Sequence, residues 1–65
     1  MKLTDQQIEQ LAAKRYALSN CHGGTAEEER ALIFFFHNDL SPAKRRAEIF
    51  ALREVLRDAQ ILASE

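Results

Sequence analysis

Two groups of side chains in this sequence could do chemistry: Cys21-His22 with His37 further along, and the cations Lys44, Arg45, Arg46, Arg53 and Arg57. A thiol beside an imidazole begins either a zinc site or a nucleophilic pair. Structural zinc takes four ligands, and one Cys with two His at unrelated spacing does not supply them. Nucleophilic catalysis needs a base oriented by a third group, and neighbours such as Cys21 and His22 seldom meet productively. No Gly-rich phosphate loop or paired acid and base is present either. The expectation is a protein with no catalytic, metal-binding or cofactor-binding residues, one that acts by binding a macromolecule.

The cations carry the alternative chemistry. Lys44, Arg45 and Arg46 stand at the start of a helical stretch, and Arg46, Arg53 and, slightly further round, Arg57 continue along its side as a basic ribbon. Such a ribbon is either a solvated face, with Glu54 and Arg57 paired three residues apart, or a contact for phosphate or an acidic partner surface. The second reading makes the protein a helix-turn-helix-like DNA-binding protein. Three features weigh against it: a long third helix, three consecutive Glu residues in the helix before it, and a turn without glycine. At a net charge of −1 the molecule is no polycation, so nucleic-acid binding would rest on this local patch.

The elements that must position these groups read as three helices. Thr4 and Gln7 form a capping box, and Leu3 and Ile8 can close over it as a hydrophobic staple, which starts a helix over residues 5–19. Ile8, Leu11, Ala12, Leu18 and, at one margin, Tyr16 share an arc of roughly 160°, with Arg15 projecting from its middle. That is an ordinary amphipathic pattern. Arg15 either snorkels to solvent or a carboxylate, or pairs across a subunit interface. Ser19 to Gly24 forms a loop.

Thr25 and Glu28 suggest a second capping box, and Glu27, Glu28 and Glu29 suit the positive end of a helix over 26–37. Its run Ala31-Leu32-Ile33-Phe34-Phe35-Phe36 covers every side of the helix, with the three Phe sweeping roughly 200°. One neighbour is too few to cover them, so both other helices are expected to pack there. Ser41 as N-cap and Pro42 at the first helical position open a third helix over 42–63, about 33 Å long. Ile49, Leu52, Leu56, Ala59 and Ala63 make a stripe widened by Val55 and Leu62, with Phe50 and Ile61 on the opposite side.

The expected fold is all-α: one domain over residues 1–65, two shorter helices and a longer C-terminal one, assembled as a homodimeric helical bundle. A chain of 65 residues has a small core, and small scaffolds often add a second copy of themselves. The expected dimer or partner interface is Phe34, Phe35, Phe36, Phe50 and Ile61. A single cysteine excludes an intrachain disulfide, and no signal peptide or roughly 20-residue apolar span is read, so a cytoplasmic location without membrane contact is expected. The opening Met1 to Leu11 is similar to the openings of many small helical bacterial and bacteriophage accessory proteins. The resemblance covers a capping box and one amphipathic turn; it implies a regulatory role and assigns no residue a function.

Overall fold

A computed structural model describes residues 2–64, and these form three helices: α1 (Asp5–Asn20), α2 (Ala26–Asn38) and α3 (Pro42–Ala63). Among the described residues there is no strand. Each helix begins where its cap is written. The Thr4 hydroxyl accepts from the Gln7 amide (3.2 Å), while the Gln7 side chain accepts from the Thr4 amide (2.9 Å). The Ser41 hydroxyl accepts from the Lys44 amide (3.3 Å). Leu3 packs on the same core as Ile8, as a staple requires.

The second cap departs from expectation. The Thr25 hydroxyl accepts from the Glu28 amide (3.1 Å), but the Glu28 carboxylate does not turn back to Thr25. It accepts instead from the amides of His22 (2.8 Å) and Gly23 (3.0 Å), two loop donors that would otherwise point to solvent. A Cβ on Gly23 would stand 2.5 Å from that carboxylate, and Gly24 has φ +69°, so the two glycines serve different needs of one turn.

Lys14 pairs with Glu29 (3.1 Å) and Glu9 with His37 (3.6 Å), so as numbers fall along α1 they rise along α2: the two are an antiparallel hairpin. Their contact is close because α1 turns small residues to it. Ala12, Ala13 and Ala17 are all buried, and the first two share one core cluster with the fully buried Phe36. Tyr16 lies against both Phe35 (centroids 6.3 Å, stacked) and Phe36 (5.6 Å, tilted), and His37 meets Phe36 edge-on (5.5 Å).

α3 packs on α1 through Ile49, Leu52 and Leu56. One short stretch of α3 reaches both ends of α1, since Arg53 bonds Asp5 (2.9 Å) while Leu52 and Leu56 face Leu18 and Ser19 across a groove. α3 therefore crosses α1 obliquely. α2 and α3 make little direct contact. This corrects two expectations. The central helix is α1, not α2, and α2 is covered mainly by α1. Leu11 and Leu18, expected in the apolar arc of α1, are exposed, because α3 crosses that side instead of lying along it.

The result is an open assembly. Its surface is 5105 Å², against about 4,200 Å² for a compact protein of this mass. Its radius of gyration is 12.9 Å, where a compact chain of this length has about 11 Å. Every residue from Arg57 to Ser64 is exposed, so the last two turns of α3 stand clear of the other helices.

Candidate interaction surface

The six-residue apolar run resolves into residues with different surroundings. Phe36 faces α1 and is buried in the monomer core, which removes it from the expected interface. Phe34, about 160° round the helix from it, is 65% exposed; Phe35 lies between them, half covered by Tyr16. On α3, Phe50 and Ile61 are both exposed on the side opposite the buried Leu52. Of the five expected interface residues, four are thus at the surface: Phe34, Phe50 and Ile61 on sides of α2 and α3 turned from α1, and Phe35 at the edge of the contact with Tyr16.

A second apolar surface was absent from the expectations. Leu11 and Leu18 of α1 and Leu52 and Leu56 of α3 line an open groove of about 530 Å³, flanked by Lys14, Arg15 and Ser19. Val55 and Leu62 lie within the same arc of α3 as Leu52 and are exposed. The signal for this surface was present as leucines seven apart in α1, but the pattern alone assigns them to the protein's own core. Arg15 reaches solvent at the groove edge and makes no ion pair among the described residues.

The basic ribbon is divided among separate tasks. Arg45 is half-buried and donates to the His37 carbonyl (2.6 Å), closing the C-terminal end of α2. Arg53 pairs with Asp5 (2.9 Å), and Arg57 pairs with Glu54 (3.1 Å), the i,i+3 partner read from the sequence. Lys44 and Arg46 are exposed and make no ion pair among the described residues. α2 and α3 do not pack together as the paired helices of a helix-turn-helix would.

Cys21 is half-buried, with its thiol 3.9 Å from the Thr25 carbonyl. Among the described residues no three His, Cys, Asp or Glu side chains gather as metal ligands would. A shallow polar depression beside Gln6, Glu9, Gln10 and His37 holds only the Glu9–His37 pair. No described helix is long and apolar enough to cross a membrane. No protein-family model matches this chain, and no curated protein or solved structure does.

Proposed function

We propose that this chain is a small helical interaction module that self-associates as a homodimer and binds a macromolecular partner, in a regulatory role and without catalysing a reaction. The observation that carries the reading is the surplus surface. The protein exposes about 900 Å² more than a compact chain of its mass, close to the roughly 800 Å² that each partner buries in a standard interface. Leu11, Leu18, Phe34, Phe50, Val55, Ile61 and Leu62 are all exposed large apolar residues.

The core adds support. Among the described residues, three of the seven buried ones are alanines and Phe36 is the only large side chain fully buried, so little apolar surface is removed from water within one copy. The test is molar mass by sedimentation equilibrium across a hundredfold dilution. A dimer persisting through the series is expected; a monomer at every concentration would sink the homodimer. The nucleic-acid alternative draws less support, because Arg45, Arg53 and Arg57 are already engaged within the chain.

A further inference from the structure

The self-association above leaves open which surface meets which, and we infer that the exposed end of α3 from one copy lies in the α1–α3 groove of the other, parallel to its α1. This rests on the homodimer reading and assigns its interface. Groove and tail match in three respects.

The first is spacing. Leu11 and Leu18 are seven residues apart on α1, Val55 and Leu62 seven apart on α3, and each pair spans about 10.5 Å along its helix. All four are exposed in the single copy. The second is charge. When the helices run parallel with Leu11 opposite Val55, Leu18 falls opposite Leu62, and Arg15 and Asp58 come to the same flank of the seam, one residue's rise apart. Both charged residues are exposed, and neither makes an ion pair among the described residues. The antiparallel alternative puts Asp58 on the flank of Lys14, which already pairs with Glu29, and Arg15 on that of Ala59.

The third is closure. When the exchange is reciprocal, one two-fold axis covers both grooves and both tails, with nothing left to propagate a fibre. The exchange also buries the part of α3 that its own chain leaves bare. Phe34, Phe50 and Ile61 do not belong to this arc and stay on the outside, as the surface for a different partner.

A charge-swap experiment on the full chain tests the pairing. Wild type, Arg15→Asp, Asp58→Arg and the double variant are compared by sedimentation equilibrium, with far-UV circular dichroism to check helix content. Each single reversal sets like charges together and is expected to weaken dimerisation about tenfold; the double variant returns to within about threefold of wild type. Leu62→Ser, at a 69% exposed position, weakens it at least as much while leaving helix content unchanged. A wild-type dimer whose affinity is untouched by these variants overturns the groove assignment and leaves the homodimer standing. A wild-type monomer overturns both.

Discussion

At the scale of single residues, three adjacent phenylalanines carry three different energies. Phe36 has no exposed surface, and α1 presents alanines around it, so truncation leaves a cavity that helix backbones cannot readily collapse into. Phe36→Ala is expected to destabilise the protein by about 3–5 kcal/mol in urea unfolding. Phe34→Ala, at a largely exposed site, should change stability by no more than about 0.5 kcal/mol. Equal losses at both positions would mean that Phe34 is buried in the folded state in solution. The cations divide in a similar way. With Arg45 holding the end of α2 and Arg53 and Arg57 paired, Lys44 and Arg46 are the two members of the ribbon left for phosphate. Any binding to duplex DNA should then depend weakly on salt, with a log–log slope no steeper than about −2 from roughly 0.9 per contacted phosphate. Fluorescence anisotropy on a short duplex would measure it, and a slope of −4 or steeper would require the paired arginines to leave their carboxylates.

At the scale of elements, the helix starts are local events and their cost is local. Thr4→Ala removes the acceptor for the Gln7 amide and also leaves the staple of Leu3 on Ile8 without its turn. A loss of about 1 kcal/mol in urea unfolding is expected, with the helix content at low urea unchanged. The same locality made the helices legible from the sequence. Caps, a proline and two glycines lie within a few residues of the boundaries they set, and the ends of α1 and α2 fall one residue from where they were read. What was not legible was which helix stands in the middle. A pattern of large apolar residues nominates α2, with its three Phe, whereas the structure centres on α1 because Ala12, Ala13 and Ala17 let neighbours come close. Alanine carries almost no hydrophobic signal, so Ala13 and Ala17 read as filler when they are the floor of the core. The Glu28 carboxylate was misread for a related reason: its choice between the Thr25 amide and the two loop amides depends on how the loop folds over the helix end. The candidate interface was half legible. Exposed Phe34, Phe50 and Ile61 follow from helical angles alone, but the groove arises from the oblique crossing of α3 over α1, which no pattern within one helix encodes.

At the scale of the whole molecule, shape and stability are one problem. An extent of 38 × 25 × 17 Å is a flat slab in which one helix serves two others, and α3 projects beyond its support. Such a slab has few interior positions, and its surface ion pairs do not make up the difference: Asp5 and Arg53 are both well exposed, where pairs contribute about 0–1 kcal/mol. If a second copy covers the groove and the tail of α3, folding and association become one equilibrium, and stability depends on protein concentration. Unfolding of a dimer of two 65-residue chains has an enthalpy of roughly 90 kcal/mol at about 0.7 kcal/mol per residue. Mass action then raises the melting temperature by about 5 °C for each tenfold increase in concentration. Circular dichroism melts at three concentrations a decade apart would reveal this. A melting temperature that does not move would mean that the slab is stable alone, and that its apolar groove is held for a partner other than itself.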